Sequence, residues 1–360
     1  MATESTFVFS CISGGYFVSQ TAILAMLLDS LDKSTKTNKN IDFYFGNSGG
    51  AISNIISIQY SGEIETIERV LYSMNSSMFL SNWVSGNVPF SNVSSKLISM
   101  FKSSFYTQGK GSKNLLDTFY TSRQLKETEI WIGKFNLDKS KTDLVCTSSE
   151  ANSNLNPYIN SNYMSDLSNV FEIKYANGDK DVIADSLNAT SSLPGFKPPL
   201  KIGKYNYMDG GLGSASTGSL LLNSIKKYSN DNAGNKYQFF YVVGPNYTTF
   251  EPKSESHWTQ ELTFAVNQLT RSLIYRERQQ IFETWMDIVS VSDISALVKT
   301  TVTGQTQIKN FFNTLGNKHF FATCYTKDKK LNILNFDKND LKTIFDDTYN
   351  SVYFEIYYKN

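Results

Sequence analysis

The sequence is poor in the residues that most often mark a function. Three cysteines in 360 residues, Cys11, Cys146 and Cys324, are odd in number and far apart, with no Cys-x-x-Cys pair. That excludes a disulfide framework and a thiolate zinc site. Only two histidines occur, His257 and His319, and neither stands in a recognisable constellation with a nucleophile or metal ligands. Neither sign of charge dominates: Lys+Arg 34 against Asp+Glu 33 leaves a net charge of +1. A general electrostatic grip on nucleic acid needs a basic excess or stripe, so no nucleic-acid partner is expected. The start of the chain, MATESTFVFS, has no basic segment followed by an apolar core, unlike a secretory signal. The longest apolar run near it, Ala22–Leu28, is far below the ~20 residues that span a bilayer. These absences lead to the expectation of a cytoplasmic protein whose membrane contact, if any, is peripheral.

What is present suits a globular chain. Hydrophobic residues make up 40% and charged residues 19%, enough apolar surface for a substantial core. Thr6–Ser10 reads as a buried strand running into the glycine pair Gly14-Gly15. Ile23, Leu24, Leu27, Leu28 and Leu31 then recur at helical spacing, predicting a helix to about Asp32. Ile41–Phe45 reads as a second strand, turned by Gly46-Asn47-Ser48-Gly49-Gly50 into a helix running from Ala51 to about Tyr60. This order opens a parallel α/β sheet. Lys236–Val243 reads as a further strand, and Trp258–Val289 as a long amphipathic helix or a kinked pair. Phe320–Tyr325 and Leu331–Phe336 read as a β-hairpin, and Val352–Tyr358 as a last strand. No repeat or linker divides the chain. The reading is a core over residues 1–250 with a helical and β-hairpin elaboration over 251–360, packed on the core as one unit.

Two short motifs carry chemistry. Gly46-Asn47-Ser48-Gly49-Gly50 fits G-x-S-x-G between a strand and a helix. A serine at such a sharp corner needs neighbours without side chains two residues either side, Gly46 and Gly50, or Cβ atoms would collide with adjacent strands. The amide of Gly49 and the positive end of the helix would then face a developing oxyanion. With no histidine placed to serve Ser48, an aspartate acting directly on it is the remaining option. An α/β-hydrolase triad ranks low, because that fold lays down several strands before its elbow. One aspartate stands out: Lys201–Met208 reads as a hairpin-like strand ending at Asp209-Gly210-Gly211, where the glycines let the backbone turn sharply beneath a protruding carboxylate.

Together these pieces resemble the patatin-like phospholipases. The matching residues are Ser13-Gly14-Gly15, the turn at 46–50, Asp209-Gly210-Gly211, the Ser- and Pro-rich block Ala189–Pro199, and the strand end Val242-Val243-Gly244. They fall in the family's order over about residues 6–245. The resemblance implies a three-layer α/β/α fold around a mostly parallel sheet. It also implies a Ser–Asp dyad with Ser48 as nucleophile and Asp209 as general base, and an oxyanion hole from Gly14, Gly15 and Gly49. The implied activity is hydrolysis of acyl esters in phospholipids or other lipids through an acyl-serine, with no metal or organic cofactor. Bulky apolar residues in the loop Met78–Phe90, among them Phe79, Leu80, Trp83 and Phe90, would suit transient contact with a membrane surface or admission of acyl chains.

The sequence departs from the family pattern at two places. Only two glycines stand in the early loop, and no Lys or Arg occurs from Met1 to Asp32. The family's Asn and Pro after Asp-Gly-Gly are replaced by Ala215 and Thr217. Loss of one aligned oxyanion donor costs roughly 2.7–4 kcal/mol of transition-state stabilisation. Two readings therefore stand: an active lipid acyl hydrolase, or a patatin-fold protein with weak or absent catalysis that binds lipid or a partner. Water and an alcohol are both open as acyl acceptor.

Overall fold

The computed structural model describes residues 4–13, 16–35, 41–59, 64–72, 122–159, 171–192, 199–245, 258–315, 318–326 and 338–359. Its strands are β1 (Glu4–Ser10), β2 (Phe43–Gly46), β3 (Glu129–Asn136), β4 (Lys141–Cys146), β5 (Phe171–Tyr175), β6 (Leu200–Ile202), β7 (Tyr205–Asp209), β8 (Lys236–Pro245), β9 (Val298–Thr303), β10 (Phe320–Thr326) and β11 (Tyr353–Tyr358). Its helices are α1 (Phe17–Thr35), α2 (Gly49–Gln59), α3 (Ile64–Tyr72), α4 (Ser122–Glu127), α5 (Asn156–Ile159), α6 (Lys180–Thr190), α7 (Leu222–Asp231), α8 (Trp258–Ile288), α9 (Gln305–Leu315) and α10 (Lys338–Ser351). The strands form one sheet in the order β5-β4-β3-β2-β1-β8-β10-β11-β9, with the β6–β7 hairpin joined to β3. β3, β2, β1, β8 and β10 are parallel. β4 and β11 run against β3 and β10.

The central strands are apolar on both faces because both faces are covered by helices. Alternation sorts the side chains. Val8, Tyr44, Ile132, Phe240 and Val242 pack with α1, α2, α3, α6, α9 and α10. Phe7, Phe9, Phe43, Phe45, Phe239 and Tyr241 pack on the opposite face with α5, α7 and α8. The result is the three-layer α/β/α architecture expected from the sequence. Burying each large apolar side chain contributes roughly 1.5–3 kcal/mol, so the sheet is held from both sides.

The C-terminal region differs from the sequence expectation in one respect. Phe320–Thr326 pairs in parallel with β8 and antiparallel with β11, so it extends the central sheet. The other half of the expected hairpin, 331–336, lies outside the described residues. A buried strand and a hairpin strand carry the same short apolar pattern, and only long-range pairing distinguishes them. The helix α8 is continuous from Trp258 to Ile288.

One piece of topology positions the site. β2 pairs with β3 up to Gly46 opposite Ile132, where β2 ends. β7 takes over the edge of β3 that β2 has left, ending with Asp209 opposite Lys134. The other edge is occupied by β4 over Trp131–Asn136. The last paired residues of β2 and β7 are thus two strand positions apart, ~7 Å along β3. The serine turn leaves one strand, and the aspartate ends the other, at the same point of the sheet.

Candidate active site

The site grows out of the carboxyl ends of the parallel strands, where open α/β sheets commonly bind ligands. β2 ends at Gly46 and α2 begins at Gly49, leaving two residues to reverse the chain. Ser48 takes a left-handed conformation, φ 51°, which costs a non-glycine residue of order 1–3 kcal/mol and is kept only where surroundings enforce it. The enforcement is steric. A Cβ on Gly46 would lie 2.8 Å from the amide nitrogen of Ala51, and one on Gly50 would collide with the carbonyl oxygens of Ser10 and Cys11. The spacing of G-x-S-x-G is therefore what this corner demands.

Hydrogen bonds lock the turn. The amides of Gly50 and Ala51 donate to the carbonyl of Asn47 at 2.9 and 3.3 Å. The Ser48 N–H donates to the Thr190 hydroxyl at the end of α6, 2.9 Å away. Asn47 acts as a clamp: its Nδ2 donates to the carbonyl (2.7 Å) and hydroxyl (3.1 Å) of Ser214, and its Oδ1 accepts from the Gly133 amide (3.1 Å). Ser48 is 3% exposed.

Asp209 arrives through the β6–β7 hairpin and is 2% exposed. Its amide donates to the Ser192 carbonyl at 3.1 Å, and its Oδ1 accepts from the Gly211 amide at 2.8 Å. Gly210 has no room for a side chain, since a Cβ there would meet Gly133 and lie 2.9 Å from Cγ of Asn47. The serine turn and the aspartate turn are thus in direct contact through Asn47, Gly133 and Gly210. α6 serves both, because Thr190 binds Ser48 and Ser192, just past its end, binds Asp209.

The approach to the expected glycine loop is equally ordered. Gln20, fully buried on α1, accepts from the Ser13 hydroxyl (2.7 Å) and donates to the carbonyls of Cys11 (2.8 Å) and Val242 (3.2 Å). The Ile12 amide donates to the Ala215 carbonyl at 2.9 Å. Gly14 and Gly15 themselves lie outside the described residues, as do the loop Met78–Phe90, His257 and residues 193–198. His319 stands far from the serine. It sits at the opposite end of the sheet, where its Nδ1 accepts from the Tyr237 amide at 3.1 Å. Burial, with Lys236 and Lys359 nearby, pushes its pKa down to about 4, so it is a neutral acceptor there.

Sequence reasoning missed the roles of Asn47, Thr190 and Gln20. The first sits inside the motif, as its variable residue. Thr190 lies inside the block Ala189–Pro199, but its role is set by Ser48, far away in the chain, and Gln20 belongs to no motif. Among the described residues no group of acidic, His or Cys side chains could hold a metal ion, and no helix is long and apolar enough to cross a membrane. The three cysteines are buried and unpaired with one another.

The family model of the patatin-like phospholipases matches residues 11–217, more than half of the chain. The protein belongs to the patatin-like phospholipase family. No curated protein matches the chain.

Proposed function

We propose that the protein is a lipid acyl hydrolase in which Ser48 is the nucleophile and Asp209 its general base. The family itself supports action on lipids. The observation that supports the finer reading is the contact between the two turns at Asn47, Gly133 and Gly210: one carries a strained serine at φ 51°, the other a buried aspartate. In this mechanism the Asp209 carboxylate takes the Ser48 proton as Oγ attacks a fatty-acyl carbonyl. The Gly49 amide, at the positive end of α2, and the amides of Gly14 and Gly15 would hold the oxyanion. Collapse expels the alcohol, which recovers the proton from Asp209. Water then adds to the acyl-serine, losing a proton to Asp209; collapse breaks the acyl–Oγ bond, Asp209 returns that proton to Ser48 Oγ, and a free fatty acid leaves. No histidine, metal or organic cofactor takes part.

The test is covalent labelling with a fluorophosphonate probe, followed by turnover of p-nitrophenyl butyrate. Wild type should label, Ser48→Ala should not, and Asp209→Asn should label far more slowly. Failure of folded wild type to label would favour the second reading, a lipid-binding or interaction module. The absence of Lys and Arg from Met1 to Asp32 is the feature that supports that alternative.

A further inference from the structure

A buried carboxylate stands beside the site and has no part in the chemistry above. Glu277 lies on α8, in a stretch of chain beyond residues 11–217, and is 2% exposed. Its two oxygens accept from the Ser216 amide at 2.9 and 2.8 Å and from the Ser216 hydroxyl. The amides of Ala215 and Ser219 also act on it. Ser216 in turn caps the short helix Thr217–Leu221.

The segment held in this way is bonded to the serine turn, to the chain before the glycine loop, to the aspartate turn and to β3. The Ser214 carbonyl receives Nδ2 of Asn47, beside the nucleophile. The Ala215 carbonyl receives the Ile12 amide, at the entry to the glycine loop. The Thr217 hydroxyl donates to the carbonyl of Trp131 on β3, at 2.9 Å. The first residue of the segment follows directly on the Asp209 turn, since the amides of Gly213 and Ser214 donate to the Gly210 carbonyl. An anion buried between a helix and a sheet costs stability that an apolar side chain of similar size would avoid. Here it supplies what no apolar side chain could: acceptors for the polar groups of Ser216.

We infer that Glu277 is a positioning residue of the serine site, acting through Ser216 to hold residues 214–217 against Asn47 and Ile12. This inference rests on the hydrolase reading for its kinetic consequence, but not for its structural one.

The charge on Glu277 should be visible in the pH profile. Among the described residues, the titratable and charged groups around it are the Cys11 thiol after β1, the Tyr241 hydroxyl on β8 and Arg278 on α8. Burial, reinforced by Glu277 itself, pushes Cys11 and Tyr241 far up, so both are neutral near pH 7. Arg278 is engaged elsewhere, donating to the Thr323 hydroxyl and to Glu355. Burial raises Glu277 to about 7, against the pull of its bonds from Ser216. Protonation turns one accepting oxygen into a donor and loosens the grip on Ser216.

The experiment compares wild type, Glu277→Gln, Ser216→Ala, their double variant and the control Glu129→Gln, a buried carboxylate at the first residue of β3, at several pH values. For p-nitrophenyl butyrate, Glu277→Gln should lower kcat about 10–100-fold, the effect of misplacing a catalytic group by about 1 Å, with KM little changed. An activity rise near pH 7 should be present in wild type and absent from Glu277→Gln. Ser216→Ala should act in the same direction, and the double variant should be no slower than the slower single one, because both cut the same link. Glu129→Gln should keep wild-type kcat. Hydrogen exchange is read in parallel: Glu277→Gln and Ser216→Ala should speed exchange at Ile12 and at 46–50, while Glu129→Gln should not. If Glu277→Gln does not fold, Ser216→Ala alone decides, since it leaves α8 intact. Wild-type kcat and pH profile in both variants, with exchange at Ile12 and 46–50 unchanged, overturns the inference. Should wild type itself neither label nor turn over, the hydrolase reading fails, and exchange alone judges the positioning role: faster exchange at those residues supports it, and unchanged exchange overturns it.

Discussion

The two ends of the sheet each bury a glutamate, and they use it differently. At the amino end of the parallel strands, Glu129 is 3% exposed. It accepts from Nε1 of Trp131 (3.1 Å), the Ser153 hydroxyl (2.7 Å) and the amides of Asn154 (2.7 Å) and Leu155 (3.3 Å). At the carboxyl end, Glu277 holds Ser216 with a similar set of donors. Burial raises the pKa of both carboxylates, and their hydrogen bonds oppose the rise. The chemistry of the two is nearly the same. What differs is the cargo: Glu129 pins the loop 153–155 ahead of α5, whereas Glu277 pins a segment bonded to the residue beside Ser48. Burial and satisfied hydrogen bonds alone therefore do not identify a functional carboxylate. The identity of the pinned backbone does.

The comparison is broken most severely at glycine. Gly50→Ala should abolish fluorophosphonate labelling and destabilise the fold toward the upper end of about 1–3 kcal/mol, because its Cβ meets backbone that cannot yield. Gly234→Ala, at the amino end, has nothing within 4 Å of the added Cβ and should leave labelling and melting temperature as they are. A labelled, stable Gly50→Ala protein would sink the steric account of the serine turn.

Next comes Glu129→Gln. It replaces one accepting oxygen with a donor among buried N–H and O–H groups, and should cost about 1–3 kcal/mol in urea unfolding. Its labelling rate per folded molecule should equal wild type. A slowed rate would mean that the amino end of the sheet also governs the site.

A third test uses the sign of the pH dependence. Glu277 titrates higher in the folded protein than its ordinary 4.5, so the native state holds the extra proton between about pH 4.5 and 7. Stability from this group is full below that window and is lost as pH rises through about 7. His319 does the opposite. Its folded value lies near 4 against an ordinary 6.5, so the unfolded chain binds the extra proton and stability is lost as pH falls through that range. The wild-type profile should be flattened by these opposed slopes. Glu277→Gln should steepen the gain in stability from pH 4 to 6.5, and His319→Asn should reverse toward a decline, both read as urea midpoints. Parallel profiles in all three proteins would contradict the assigned shifts.

The smallest expected effect is at Thr190. Thr190→Val removes the acceptor for the Ser48 N–H and should cost about 1 kcal/mol, the low end of the penalty for stranding a buried donor, with slower labelling. Unchanged labelling would show that the strained turn holds without α6.

Much of this molecule was legible before its fold was known. Strands β1, β2 and β8, the helices α1, α2 and α8, and the hairpin before Asp209 are local patterns, written in apolar periodicity and glycine placement. Ser48 and Asp209 could be singled out for the same reason, because a sharp turn leaves glycines in the sequence on either side. Asn47, Gln20 and Glu277 left no such mark: a buried amide or carboxylate is defined by its donors and acceptors, and apart from Ser13 and Cys11 at Gln20 these lie tens or hundreds of residues away. The place of β10 in the central sheet was hidden likewise, since a short apolar strand carries no record of its partner. The sequence by itself determined a two-faced, mostly parallel α/β sheet and the two turns that carry its candidate chemistry. Only the tertiary structure decided that those turns meet, because the meeting depends on β7 occupying the edge of β3 where β2 stops, and strand pairing is a long-range choice that no local pattern encodes.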